Sequence, residues 1–238
     1  MLKKARLIGI GALTVCLLLT LRAQGQHEEG TGMVKLRTGY AQPFGSFGKN
    51  SGSLDYNGFV AGGVHYGFEA VYFFSKNAGF GGLLSYNRNK IDDRRLSSAY
   101  INSNINYDTA FVNVDPFSSI IGMVGIYFDF PVADFMAFTF KMMAGSLMVK
   151  KPEGVVRIQN QVTTNLQIIE SSNFSSKFAI YNGVGLRFNP INNWNITFDV
   201  EYVGSKLDFS YTRNNDVIKR TNHIQILTFT LGIAYFIE

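Results

Sequence analysis

Cysteine is nearly missing. The chain of 238 residues has one, Cys16, set in an apolar stretch near the N-terminus, so no intrachain disulfide can form. Val15 before it is not the small residue that precedes a lipidated cysteine. Histidine is almost as scarce. His27, His65 and His223 stand far apart, no second cysteine joins them, and the acids are dispersed, so no metal-ligand spacing exists and no metal or other cofactor is expected. After residue 25 no apolar run is long enough for a spanning helix, which takes about 20 residues. A real excess of positive charge is also absent. The formal +5 comes from 22 basic and 17 acidic residues, and Lys3, Lys4, Arg6 and Arg22 fall in the first 25. Without them 18 basic residues face 17 acidic ones, which leaves no electrostatic footprint for a nucleic acid. The glycines at 79–82 sit in an alternating stretch and form no phosphate loop.

The first 25 residues have the layout of a secretory signal. Lys3, Lys4 and Arg6 give a positive start, Leu7 to Leu21 an apolar centre, and Ala23-Gln24-Gly25 small residues at the cleavage positions. The mature chain is expected to begin at Gln26, with residues 26–32 a polar lead.

A secreted chain that is 46% hydrophobic and 14% aromatic yet has no spanning helix needs another way to hide its apolar residues. Alternation supplies it. In the last stretch, Thr228 to Ile237, large apolar residues (Phe229, Leu231, Ile233, Tyr235, Ile237) alternate with mostly small or polar ones. Comparable stretches begin near residues 33, 58, 79, 118, 135, 175 and 194. The clearest is Trp194 to Val203, with Trp194, Ile196, Phe198, Val200 and Tyr202 on one face and Asn195, Thr197, Asp199 and Glu201 on the other. The segments between strands run long, short, long, short, long, short, long, the long ones being 43–57, 89–116, 150–174 and 204–221. Within 150–174, two β-prone runs at 155–158 and 166–169 predict a hairpin that prolongs the flanking strands. Aromatic residues gather at both strand ends, Phe73, Phe80 and Trp194 among them at one level and Tyr40, Phe59 and Tyr202 at the other.

These features predict an all-β fold over residues 33–238: an eight-stranded antiparallel up-and-down transmembrane β-barrel, a simple meander, with lipid-facing apolar residues alternating with lumen-facing small or polar ones. A soluble ligand-binding barrel would reverse the faces and expose glycines such as Gly63, Gly125, Gly183 and Gly232 to water, whereas small residues suit a crowded lumen.

Thr230, Gly232, Tyr235 and Ile237 resemble the C-terminal assembly signal of outer-membrane proteins, although the chain ends in Glu238 and not in Phe. GYAQPFGSFG at 39–48, the strand–turn–strand at 68–89 and GVGLRFNPINNWNITFDVEY at 183–202 are similar to the outer-membrane β-barrel family of Bacteroidetes labelled "porin family", related in shape to small OmpX/OmpA-like barrels. The resemblance covers essentially the whole chain after the signal. It implies an outer-membrane location in a Gram-negative bacterium, contact with outer-membrane lipid, and handling by the barrel-assembly machinery through the last strand. It brings no catalytic residues, so no enzyme is expected, and any extracellular partner stays unnamed.

Eight ionisable residues point into the expected lumen: Lys35, Arg37, Glu69, Asp129, Lys141, Arg187, Asp199 and Glu201. An eight-stranded barrel is just wide enough for its side chains to fill, and equal numbers of the two signs favour an ion-paired plug. Lys141 is expected to reach Asp199 or Glu201 across the lumen, and Arg37 to pair with Glu69 on the next strand. The expected role is structural or surface-interacting, through the long outer loops. The alternatives are a narrow channel for ions or small solutes and, more remotely, a lipid hydrolase built on His223 with Ser205, Asp208, Ser210 and Asp216. Asn195, in an N-glycosylation-like triplet, would face the lumen, so the triplet is read as an accident.

Overall fold

The computed structural model describes residues 29–48, 59–103, 107–150, 154–160, 166–170, 174–191, 193–213 and 216–237. The expected signal segment, residues 1–25, and positions 26–28 of the lead lie outside the described residues. The strands are β1 (Gly32–Pro43), β2 (Val60–Ser75), β3 (Ala78–Ile91), β4 (Tyr107–Val114), β5 (Phe117–Ala133), β6 (Met136–Lys150), β7 (Gly154–Asn160), β8 (Leu166–Glu170), β9 (Phe174–Ile191), β10 (Trp194–Arg213) and β11 (Asp216–Ile237), with one helix, α1 (Asp93–Ser103). Eight of the strands close an antiparallel barrel in chain order, β1-β2-β3-β5-β6-β9-β10-β11. The last strand returns to the first, with Leu36 opposite Ile233 and Arg37 opposite Gly232. Strands β4, β7 and β8 form a separate small sheet.

Period-two alternation drives this architecture, because successive strand side chains point to opposite faces. Along β10, Asn195, Thr197, Asp199 and Glu201 are buried while Trp194, Ile196, Phe198 and Val200 are exposed. The same holds on β11, where Thr228, Thr230 and Ala234 are buried beside exposed Phe229, Leu231 and Ile233. The barrel is thus polar inside and apolar outside, and a wall so continuously apolar requires hydrocarbon as its solvent. Among the described residues no helix is long and apolar enough to cross a membrane.

One end of the barrel has short turns, such as Lys76–Asn77 between β2 and β3. The other end carries the long connections, and these depart from the sequence expectation. Residues 204–221 are largely strand: β10 and β11 stay paired to Arg213 opposite Asp216, so a hairpin rises well past the barrel rim. Residues 89–116 hold α1 and β4. Asp92 caps the helix by accepting the N–H of Arg95 at 3.1 Å. The hairpin expected in 150–174 exists as β7 and β8, but β7 pairs with β4, so the two strands belong to the small sheet.

Two residues expected in the aromatic girdles are inside. Phe59 is buried with φ of 70°, a left-handed turn that aims its ring into the barrel mouth. A register shift between Val60 and Gly63 likewise turns Val60 inward. Phe73 is buried because it keeps the inward parity of Glu69 and Val71.

Candidate functional site

The lumen is filled in three tiers. Nearest the short turns, Arg187 pairs with Asp129, donates to Asn195 Oδ1 at 2.7 Å, and lies 4.8 Å above the Phe236 ring. Phe73 stacks on Phe236 at 5.9 Å and meets Tyr127 edge-on at 5.8 Å, forming an aromatic floor. Asn195, the residue of the glycosylation-like triplet, is committed here. Replacing Arg187 by leucine is expected to cost about 3 kcal/mol of stability, because the buried Asp129 carboxylate loses its guanidinium. Denaturant titration of the folded barrel measures it, and an unshifted midpoint would deny the pair any structural weight.

The middle tier holds three cations and three carboxylates, every side chain at most 1% exposed. Lys141 reaches Glu201 at 2.7 Å, Glu69 at 3.0 Å and Asp199 at 3.2 Å. Lys35 lies 3.2 Å from Glu69 and 3.3 Å from Asp199. Arg37 pairs closely with Glu201, sits 3.6 Å from Glu69, and donates to the Tyr181 hydroxyl at 3.0 Å. The Tyr127 ring lies 5.9 Å from the Lys35 ammonium and 5.8 Å from that of Lys141. Lys141 thus meets both of the acids it was expected to choose between, and Glu69 as well. Arg37 takes Glu201 as its nearer partner because the register sets Lys35, not Arg37, opposite Glu69. Glycine makes room for these long side chains. A Cβ at Gly183 would stand 3.3 Å from Glu201 Cγ and 3.4 Å from Lys141 Cε, and one at Gly67 only 2.6 Å from Arg37 Nε. Just above, His65 Nδ1 and Asn87 Oδ1 share a hydrogen bond of 2.6 Å.

The third tier, toward the long connections, is mostly apolar, with Ser85, Asn89 and Ser119 the polar side chains buried at its level. Ile121, Leu147, Val149, Val203, Leu207, Ile224 and Ile226 project inward from the wall, and Phe47, Phe59, Leu96 and Tyr100 close over them. Phe47 meets Phe117 edge-on at 5.3 Å. Leu96 and Tyr100, one turn apart on α1, plug the helix into the mouth. This cap escaped the sequence reading, although inward-parity positions switch from polar to apolar at the strand tops.

The His223 constellation is not assembled among the described residues. Ser205 donates its hydroxyl to the Phe178 carbonyl at 2.7 Å. Asp208 accepts from Thr221 at 2.7 Å and pairs with Lys177 at 3.0 Å, and these hydrogen bonds hold its carboxyl below the usual range. The side chains of Ser210 and Asp216 lie outside the described residues. Among the described residues no cluster of His, Cys, Asp and Glu is arranged to hold a metal. Thr230, Gly232, Tyr235 and Ile237 alternate on β11, Thr230 and Gly232 inward, Tyr235 and Ile237 outward.

An apolar outer wall, a polar and ion-paired interior and alternating short and long connections define an integral membrane β-barrel of the outer-membrane class. The chain belongs to the outer membrane protein beta-barrel domain family, whose model matches residues 12–235. A search of curated proteins finds no match. Solved structures with a similar fold include Ail, the attachment invasion locus protein of Yersinia pestis, at 17% identity, 88% coverage of this chain, 99% of that one and a TM-score of 0.46. Neisserial surface protein A is similar at 11% identity, 87% and 99% coverage and a TM-score of 0.49. OprG from Pseudomonas aeruginosa is similar at 11% identity, 89% and 98% coverage and a TM-score of 0.47. In barrels of this class the short turns are periplasmic and the long connections extracellular.

Proposed function

We propose that this protein is a closed outer-membrane scaffold whose work is done by its extracellular elements, in a structural or surface-interaction role and not in conduction or catalysis. The observation that carries this reading is the filled lumen. The ion-paired tier occupies the middle of the barrel, and the apolar tier seals its outer mouth. A permeating ion would have to part salt bridges among wholly buried groups and then cross a mostly apolar cap, both opposed by desolvation. What the barrel holds out above the membrane is substantial: α1, the β4-β7-β8 sheet and the tall β10–β11 hairpin. Rigid scaffolds of this kind commonly carry recognition on their connections.

The finer reading is a Bacteroidetes porin-like barrel in a Gram-negative outer membrane. Thr230, Gly232, Tyr235 and Ile237 on β11 are its contact with the barrel-assembly machinery. The chemistry of an extracellular partner is left to experiment.

The test is single-channel recording in a planar bilayer, with heat-modifiable gel migration as the check on folding. The expected trace is silent. Discrete steps that scale with salt would overturn the proposal in favour of a narrow channel lined by the lumen charges.

A further inference from the structure

The outward wall carries a second ionisable feature, separate from the lumen. Lys206 on β10 and His223 on β11 are direct cross-strand partners, and both point away from the lumen. They line a groove of about 620 Å³ on the β9–β10–β11 face, together with Lys177, Phe178, Ile180 and Asn182. Phe178 and Ile180 give it an apolar stretch, with Lys177, Lys206 and His223 at its upper end and Asn182 and Tyr202 at its lower one. Asn182 is a polar residue set between Ile180 and Val184 on the outward row of β9.

The height of this groove is set by the strands. Trp194 and Tyr235 touch at the periplasmic girdle, their ring centres 4.9 Å apart. A tilted strand climbs about 2.5 Å along the barrel axis per residue. Lys206 stands twelve residues beyond Trp194, and His223 twelve before Tyr235. Both therefore lie about 30 Å above the girdle, the thickness of the hydrocarbon core, at the level of outer-leaflet headgroups. Tyr202, four residues below Lys206, marks the interface beneath them.

The charge at this level is one-sided. Arg88 and Lys90 on β3 and Lys150 on β6 also face outward near the loop end. Among the described barrel-strand residues the outward face carries one acid, Asp208, and it is occupied by Lys177 and Thr221. Lys206 has no ion-pair partner among the described residues, so its ammonium is available to an anion at the membrane surface. An ammonium is a compact point charge suited to phosphate.

From this geometry we infer that the groove holds a phosphate-bearing lipid of the outer leaflet, its phosphate on Lys206 and His223 and an acyl chain along Phe178 and Ile180. Lys177, already bound to Asp208, shapes the rim.

The purified barrel, reconstituted in phosphatidylcholine nanodiscs, is offered bis-phosphorylated lipid A or the same lipid with its phosphates removed. Retained lipid is read by native mass spectrometry. The wild type should retain the phosphorylated form preferentially. The double variant K206Q/H223Q, which touches no lumen residue, should bind it about tenfold more weakly, as expected for losing two headgroup contacts. If the double variant folds poorly, K206Q alone should show most of the loss. Equal retention by variant and wild type would overturn the inference, as would equal retention of the dephosphorylated lipid. Inorganic phosphate that displaces the lipid from the wild type at comparable concentration would reassign the groove to a free anion.

Discussion

Replacing Lys141 by methionine is expected to lower the stability of the folded barrel by about 3–5 kcal/mol, the cost of removing one partner from a buried ion pair. Lys141 is the hub of the middle tier, within 3.2 Å of Glu69, Asp199 and Glu201. Without it three carboxylates share Lys35 and Arg37, and one buried negative charge is left over. Methionine keeps a similar volume and flexibility, so packing loss is not the main effect. The single tryptophan, Trp194, reports urea unfolding in detergent or vesicles by its fluorescence. The double change Lys141→Met with Glu201→Gln restores the balance of charge and should recover part of the loss. A midpoint that does not move in the single variant would mean that the contact contributes nothing to holding the barrel.

The second large effect is expected in the apolar tier. Ile121 is 1% exposed, with Ser85 and Leu147 opposite it on the two neighbouring strands. Ile121→Asp places a buried carboxylate opposite the Ser85 hydroxyl on one strand and Leu147 on the other, with no cation directly across from it, at a cost on the order of 4 kcal/mol or more. Ile121→Val at the same site removes one methylene and should cost about 1 kcal/mol. The contrast between the two tests whether the cap is dry. If the aspartate were tolerated as well as the valine, water would have to reach Ile121, and the seal invoked against conduction would fail.

The barrel was legible in the sequence because a membrane wall imposes one rule on every strand, with little tolerance for polar groups facing lipid. The eight lumen charges were legible for the same reason, since parity alone places Lys35 or Glu201 inside. Pairing was less so. Which cation meets which carboxylate depends on register and on reach across the lumen, and neither is written in a single strand. Strand adjacency predicts the Arg37–Glu69 pair, which forms at 3.6 Å, but not the closer one that the long side chain makes with Glu201. Above the membrane the rule lapses. There α1 has Leu96, Ala99, Tyr100 and Ile101 as its apolar residues, three of them consecutive, and its helical period is hidden in eleven residues. The β4–β7 pairing joins segments some forty residues apart, Val112 opposite Val156, and no local pattern announces it. Phe59 leaves the expected girdle because its positive φ breaks the strand alternation.

The seam between β1 and β11 has a consequence for how the molecule comes into being. Gly32 lies opposite Ile237, so closure joins the two extremes of the described chain. The six groups of the middle tier are divided between β1 and β2 on one side of that seam and β6 and β10 on the other. Until the final strand docks, the cations of β1 and most of the carboxylates they need are carried on opposite margins of an unfinished curved sheet, each margin also presenting unpaired backbone groups. Such long-range pairing is kinetically slow, since the entropy of bringing the ends together is lost before any contact compensates it. Neutralisation of charge and sealing of the edge therefore happen in one event, and a chain that stalls before it carries both an open margin and stranded charge in a medium that accommodates neither.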